Sequence, residues 1–140
     1  MQALPHWEHG TVAVLCVVGP HAIPVSTAVR AADHRILLAL GGGRETLARL
    51  RAEPAAALCL LAEGLACTAH GEARVVREEL DCAPPVAAVE LRVERVQDHL
   101  ADGRSEILAG PRWRWTDEGA AASDPDIMAE LERLGAGKAG

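Results

Sequence analysis

Phenylalanine and tyrosine are absent from the sequence, and only three tryptophans supply aromatic rings among 140 residues. The core must therefore be built from Ala, Val, Leu and Ile, whose small side chains let backbone elements approach closely. Each tryptophan becomes a candidate packing anchor or ligand platform. The chain also lacks a run of basic residues and carries a formal net charge of -6. Nucleic acid is bound by clustered Lys and Arg, so it is not an expected partner.

Long apolar segments and leader-like features are also missing. No apolar segment reaches the roughly 20 residues that a helix needs to span a bilayer. The start of the chain has neither the basic residues nor the apolar stretch of a signal peptide. We therefore expect a cytoplasmic protein with no membrane partner.

Cysteine pairs with the spacing C-x-x-C do not occur, although the chain has four cysteines. Three lie inside apolar runs, so we expect reduced thiols that are buried as small hydrophobes. The histidines His6, His9 and His21 are scattered near the N-terminus, and we expect them to be solvated rather than to hold a metal. The cysteines are Cys16, Cys59, Cys67 and Cys82.

Strand patterns occupy most of the first hundred residues. Continuous apolar runs predict strands covered on both faces, and alternation of period two predicts strands with one buried face. The runs lie at residues 11–18, 23–31, 36–40 and 55–61, and the alternating stretches lie at residues 65–76 and 86–96.

Two residues inside these stretches predict local features. Pro24 lacks the N–H that an inner strand needs, so residues 23–31 are expected at an edge or bulge, in a meander with the strands on either side. Gly71 stands at the middle of the longest alternating stretch. We expect it to mark a bend where a neighbouring element comes close.

The last thirty residues combine a strand pattern with a helix pattern. Residues 112–116 alternate like a short final strand. A helix is predicted over about residues 124–135, with Asp124 as its N-cap, Pro125 in its first position and Gly135 as its C-cap.

Three glycines, at positions 41–43, separate an apolar strand from a helical pattern at residues 44–53. The N–H groups and the dipole of a helix N-terminus favour an anion, and glycines let a ligand come close to the backbone. Arg44 adds a forked donor at the same place. The turn is therefore a candidate phosphate site, and the alternative is a plain connector with a solvated arginine.

Taken together, the patterns predict a mainly β (α+β) protein. We expect a β-barrel of six to seven strands with one short crossover helix and a C-terminal helix, rather than a sandwich or a doubly wound sheet. The expected organisation is a single domain over residues 1–140, with its barrel core at about residues 11–116.

Other phosphate-binding and catalytic motifs are absent. The glycine turn lacks the third glycine of a dinucleotide fold, no Gly-Lys-Ser/Thr follows it, and no nucleophile turn stands out for hydrolysis. His70 lies on the polar face of its strand, exposed either to solvent or to a groove between subunits. Trp113 and Trp115 are flanked by arginines, and we expect them to pack against the C-terminal helix rather than to stack on nucleic-acid bases.

Four short motifs in a fixed order resemble the pyridoxamine 5'-phosphate oxidase-like superfamily of FMN-binding split β-barrels, over about residues 12–96. No one of the four motifs is specific for this family alone, but their order and spacing are. They are H-A-I-P-V-S at residues 21–26, R-I-L-L-A-L at residues 35–40, R-L-R-A-E-P at residues 49–54 and G-E-A-R-V-V at residues 71–76.

The resemblance implies a homodimer with FMN, or the related deazaflavin coenzyme, in a groove between the subunits. It implies that the ring lies against the second strand, and that the phosphate is held where the following apolar strand ends and the helix begins. The implied cofactor-binding residues are Pro24, Val25, Ser26 and Thr27 for the ring, Leu40, Gly43, Arg44 and Thr46 for the phosphate, and Trp113, with Arg114, as weaker contacts from the last strand.

The function implied is an oxidoreductase that acts on an unidentified small molecule, with no catalytic side chain assigned. Members of this family commonly carry Ser-Arg-Lys or similar where this chain has Arg44-Glu45-Thr46. Loss of one phosphate cation lowers the expected affinity by about ten- to a hundredfold. Two alternatives therefore stay open: a non-catalytic protein that binds flavin or haem, and a dimeric module without a cofactor.

Overall fold

Seven β-strands and two α-helices follow one another along the chain in this computed structural model, which describes residues 2–137. The predicted class is confirmed: the protein is mainly β, with a short helix between two strands and a second helix at its C-terminal end. The elements are β1 (Ala13–Val17), β2 (His21–Val25), β3 (Val29–Ala32), β4 (Arg35–Gly41), α1 (Glu45–Ala52), β5 (Ala55–Ala62), β6 (Leu65–Arg77), β7 (Val86–Asp98) and α2 (Glu118–Ala136).

The strands form one antiparallel sheet in the order β2-β1-β5-β6-β7-β4-β3. The two edge strands, β2 and β3, follow each other in sequence, and only residues 26–28 separate them. So short a connection spans at most about 14 Å, whereas the edges of a flat sheet of this size would lie about 29 Å apart. The sheet must therefore curl until its two edges lie close together, which forms a barrel. Residues 26–28 connect the two edge strands at the split in this barrel.

The predicted meander of the first three strands is wrong, because residues 23–31 belong to two strands at opposite edges of the sheet. The chain leaves β2 after Val25 and bends at Ser26. The Thr27 hydroxyl donates a hydrogen bond to the Ala39 carbonyl at 3.0 Å and accepts one from the Ala39 N–H at 3.1 Å. The Thr27 side chain thus takes the place of backbone pairing between strands. It attaches residues 26–28, which we call the crossing segment, to the middle of β4.

Strand β4 is buried on both faces. Ile36, Leu38 and Leu40 point into the barrel, where they join the main core. Leu37 and Ala39 point outward, into a second apolar cluster that includes Met128 and Leu131 of α2. The continuous apolar run of this strand therefore serves two cores, and α2 is attached to the outside of the barrel.

Gly71 lies where the register between β6 and β7 shifts, and this agrees with the bend predicted at this residue. A Cβ atom at this position would stand 1.9 Å from the Arg92 carbonyl oxygen. Only glycine allows the two longest strands to approach so closely at the bulge.

Helix α2 begins earlier than predicted. Its N-cap is Asp117, whose carboxylate accepts hydrogen bonds from the N–H groups of Gly119 and Ala120, and Pro125 lies inside the helix. Its C-cap is Gly137 rather than Gly135. The predicted start at Asp124 is wrong because the Asp117 cap and the alanine-rich turn after it carry the helix up to the proline.

The predicted final strand at residues 112–116 is absent, and residues 105–116 form an extended segment without strand pairing, which we call the strap. The Gly64 N–H donates to the Ile107 carbonyl at 2.9 Å, and the Trp113 indole N–H donates to the Gly10 carbonyl at 2.8 Å. These contacts lead the strap from the β5–β6 turn across the barrel to the start of α2.

The four cysteines are free thiols. Cys67 is buried, and burial raises the pKa of its thiol to about 11. Cys16 and Cys59 are only half-buried and Cys82 is exposed, so the expectation of buried thiols is correct for Cys67 alone. Neither helix within residues 2–137 is long and apolar enough to cross a membrane.

Candidate functional site

The glycine turn joins the end of β4 to the start of α1. Its backbone is held from outside by the Gly42 N–H, which donates to the Pro85 carbonyl at 2.8 Å, and from within by the Arg44 N–H, which donates to the Gly41 carbonyl at 3.1 Å. Arg44 is the N-cap of α1, and no side chain caps the helix there. The positive end of the helix dipole therefore faces outward beside the turn.

The Arg44 side chain folds back over this turn. A Cβ atom at Gly41 would lie 3.5 Å from Arg44 Cγ and 3.8 Å from its Nε. At Gly43 a Cβ atom would meet nothing within 4 Å, so the space beside the turn is open. No ion pair with Arg44 is formed by the residues between 2 and 137. An exposed guanidinium, a helix N-terminus and an open turn together are suited to bind an anion.

A hydrogen-bonded network fills the first turn of α1 on its other side. His21 Nε2 lies 3.0 Å from Thr46 Oγ1, and His21 Nδ1 lies 3.1 Å from Glu45 Oε2. The same carboxylate oxygen accepts a hydrogen bond from Arg49 Nε at 2.8 Å. Because a carboxylate only accepts, the His21 Nδ1–H donates this hydrogen bond to Glu45. The network ties the edge strand β2 to the start of α1.

This network also pairs the negative charge of Glu45 with a cation. The hydrogen bond and positive charge of Arg49, with a smaller contribution from His21, hold the pKa of the Glu45 carboxyl below its ordinary value. The carboxylate is thus engaged by neighbours on the helix flank. Its repulsion of an anion beside Arg44 is correspondingly reduced.

Two surface clefts flank the crossing segment between β2 and β3. The β2 cleft has a volume of about 230 Å³, is shallow and open, and is lined by Val12, Pro24, Val25, Ser26 and Trp113. The α2 cleft has a volume of about 480 Å³ and is mainly apolar. It is lined by Thr27, residues 82–86, Trp115 and side chains from the first half of α2.

Trp113 and Trp115 connect the two clefts. Their rings meet edge to face, with centroids 5.2 Å apart and planes at 87°. Trp113 lines the β2 cleft and Trp115 lines the α2 cleft, so the pair forms a ridge beside Ser26 and Thr27. We predicted that both tryptophans pack on the C-terminal helix, but only Trp115 shares a cleft with residues of α2.

The structure brings together some of the predicted site residues and separates others. Pro24, Val25, Ser26 and Trp113 share the β2 cleft. Gly43 and Arg44 form the open turn, while Leu40 is only 2% exposed and belongs to the barrel core. The other predicted residues lie elsewhere. Thr27 lines the α2 cleft, and Thr46 is buried against His21. Arg114 is exposed and lines neither cleft.

The structure also adds residues that sequence reasoning did not assign to the site. His21, which was expected to be solvated, is instead held by Thr46, and this contact joins residues that are 25 positions apart. Trp115 and Pro85 reach the site through the strap and the loop before β7. No pattern in the sequence pairs these segments. Among residues 2–137, no three metal-binding side chains come together.

No protein-family model matches the chain, and no curated protein matches it in sequence. Solved structures do share its fold. A protein from Listeria innocua, provisionally named a pyridoxamine 5'-phosphate oxidase, matches with a TM-score of 0.53 and 15% identity over 64% of this chain and 88% of that one.

Two further structures match in the same way. HupZ from Group A Streptococcus has a TM-score of 0.56 and 14% identity, over 71% of this chain and 90% of that one. An F420 reductase has a TM-score of 0.51 and 9% identity, over 64% of this chain and 91% of that one. The resemblance drawn from the sequence motifs is thereby confirmed for the fold: the chain shares its split β-barrel fold with these structures.

Proposed function

We propose that this split β-barrel binds FMN or the deazaflavin coenzyme and acts as an oxidoreductase on a small molecule. The observation that carries the proposal is Arg44, which forms no ion pair within residues 2–137 and folds over the glycine turn at the start of α1. The F420 reductase and the pyridoxamine 5'-phosphate oxidase-type protein that share the fold support the class of cofactor.

In this proposal the phosphate lies against the glycine turn. Arg44 supplies charged donors, and the backbone of Gly43 and the first residues of α1 supplies N–H groups. Thr46 contributes only its backbone, because its hydroxyl is buried and held by His21. Leu40 supports the turn from the core, since its side chain is buried within the barrel.

The acidic neighbour Glu45 does not oppose this placement strongly. Its carboxylate is engaged by Arg49 at 2.8 Å and by His21 at 3.1 Å. Glu45 and Thr46 therefore stand where the family carries basic residues, and the charge of Glu45 is paired with Arg49. Arg44 is left as the cation that binds the phosphate.

The ring of the cofactor lies along Pro24, Val25, Ser26 and Thr27, with Trp113 at its edge. An edge strand offers N–H and C=O groups to the polar rim of a flavin-type ring, and Trp113 offers an apolar surface. The bound cofactor supplies hydride or electron transfer, while the chain's own residues bind it, orient it and keep water from its reactive face.

The protein works as a homodimer in this proposal. The β2 cleft is shallow, with about 230 Å³, and its Trp113 is 41% exposed. A second copy over this surface would deepen the cleft and cover the ring. Size-exclusion chromatography with light scattering measures the mass in solution, and a strict monomer would contradict the shared groove.

The cofactor is tested by the visible spectrum of the purified protein and by titration with FMN, deazaflavin and haemin. Binding of FMN or deazaflavin supports the proposal. Binding of haemin alone would overturn it in favour of a haem-binding protein, and binding of none would leave a module without a cofactor.

The phosphate position is tested by Arg44→Ala. The loss of one charge-assisted contact is expected to weaken FMN binding by about tenfold or more. Arg51→Ala is the matched control, because Arg51 lies near the far end of the same helix and pairs with Glu78 at 2.6 Å. Equal affinities for the Arg44→Ala and wild-type proteins would show that the phosphate is bound elsewhere.

A further inference from the structure

We propose that the α2 cleft binds a small organic cation with a flat apolar ring, and that this molecule is the substrate of the flavin-type site. The second half of this statement rests on the function proposed above. The first half rests on the cleft alone, on its size, its lining and the charge of its wall.

The size and lining of the α2 cleft suit one ring-bearing small molecule. Its volume of about 480 Å³ lies within the ordinary range for ligand sites. Its apolar lining includes Pro85 and Val86 from the loop and start of β7, and Ile127 of α2. Trp115, which is 41% exposed, stands at its rim and offers a flat face for stacking.

The charge of the wall selects the sign of the ligand. Asp124 is half-buried in the lining, and within residues 2–137 no cation pairs with it. The side chains described around this cleft include no Lys, Arg or His. An anion here would meet an uncompensated carboxylate, whereas a cation would pair with Asp124 and gain a cation–π contact with Trp115.

The polar groups around Asp124 do not change this balance. The Ser123 hydroxyl donates to the Gly119 carbonyl at 2.9 Å, and the Thr27 hydroxyl is engaged with Ala39. Burial raises the pKa of the Cys82 thiol, and the Glu130 carboxylate raises it further, so the thiol is neutral at pH 7. Asp124 is therefore the only charged side chain of the described lining at neutral pH.

The α2 cleft also lies beside the proposed cofactor position. Thr27 belongs both to its lining and to the segment that would hold the ring. Pro85 lines the cleft and accepts the hydrogen bond from Gly42 of the glycine turn. A molecule in the α2 cleft would therefore approach the proposed ring position at Thr27, which the two sites share.

The test measures binding of three bicyclic probes of equal shape by calorimetry and tryptophan fluorescence. The probes are 2-naphthylmethylammonium, the neutral 2-naphthylmethanol and the anion 2-naphthoate. We expect the ammonium to bind at least tenfold more tightly than the alcohol, and the naphthoate to bind most weakly. Equal binding of ammonium and naphthoate would overturn the proposal.

Two variants of α2 locate the site. Asp124→Asn is expected to abolish the preference for the ammonium over the alcohol while leaving binding of the alcohol within threefold. Asp126→Asn is the matched control, because Asp126 is exposed and absent from the lining, and it is expected to keep the preference. A preference that survives Asp124→Asn would show that the cation binds elsewhere.

The Arg44→Ala variant separates this inference from the proposed function. We expect it to weaken FMN binding and to leave ammonium binding unchanged. If the ammonium binds as expected but the protein takes up neither FMN nor deazaflavin, the cation site is supported and its role as the substrate site is overturned.

Discussion

The Glu90 carboxylate is buried between two arginines from neighbouring strands. Its Oε2 accepts a hydrogen bond from Arg35 Nε at 2.6 Å, and its Oε1 accepts one from Arg74 Nε at 3.1 Å. The Glu90 side chain is 4% exposed and that of Arg35 is 14% exposed. Arg35 also donates to the Gly135 carbonyl at 3.2 Å, so the same ion pair reaches the end of α2.

Glu90→Gln is expected to lower the free energy of unfolding by about 3 kcal/mol, because it leaves the buried Arg35 guanidinium without its counter-charge. Glu72→Gln is the matched control: Glu72 lies on the neighbouring strand and pairs with Arg92 at 3.4 Å, where both side chains are exposed. We expect it to cost less than about 1 kcal/mol. Urea denaturation measures both, and equal losses would contradict a special role for the buried pair.

Gly71→Ala is expected to destabilise the protein by about 3 kcal/mol or more, since its methyl group would overlap the Arg92 carbonyl oxygen, 1.9 Å away. Gly43→Ala provides the comparison, because a Cβ there meets nothing within 4 Å. Its stability should stay within about 0.5 kcal/mol of the wild type. A stable Gly71→Ala protein with an unchanged thermal midpoint would show that β6 and β7 separate easily at the bulge.

Glu130 makes the docking of α2 sensitive to pH. Its carboxylate accepts hydrogen bonds from the N–H groups of Asp81 and Cys82, at 2.8 and 2.9 Å. Burial alone raises the pKa of this carboxyl, but the two backbone donors outweigh burial and hold the pKa below its ordinary value of 4.5. The contribution to stability is therefore complete above that value, and it is lost as the pH falls through the lowered pKa of the folded protein.

Glu130→Gln is expected to lower the free energy of unfolding at pH 7 by about 1–3 kcal/mol, because an amide places a donor against one of two N–H groups. The difference from the wild type should shrink as the pH falls below 4.5. Urea denaturation from pH 7 to pH 3 measures it, and Glu106→Gln, at an exposed position of the strap, is the control. A difference that stays constant over this range would contradict the proposed role of the carboxylate charge.

Local elements were predicted well where one periodicity runs without interruption. The helix after the glycine turn and the long strand with Gly71 were both predicted because their patterns match their final environments. The end of one strand and the start of the next were merged at residues 23–31, because an apolar run looks the same when it passes from one sheet edge to the other. Likewise, residues 112–116 alternate like a strand but form no strand pairing, so alternation alone did not predict a place in the sheet.

The candidate site was predicted in outline only. Pro24, Val25, Ser26 and Trp113 do share a cleft, and Arg44 does stand over the glycine turn. The sequence indicated neither the contact of His21 with Thr46 nor the α2 cleft with Trp115. These depend on contacts between segments that are distant along the chain, and periodicity reports only on neighbours.

The sequence by itself determined which residues form strands and helices in most of the chain, which faces are apolar, and that a glycine turn precedes a helix with a single arginine at its start. Only the tertiary structure decided that β2 and β3 lie at opposite edges, that residues 26–28 connect those edges, and that His21 contacts Glu45 and Thr46. The physical reason is that local patterns fix the hydrophobic and hydrogen-bonding preferences of each segment. Which charges and clefts meet depends on how the curled sheet brings distant segments together.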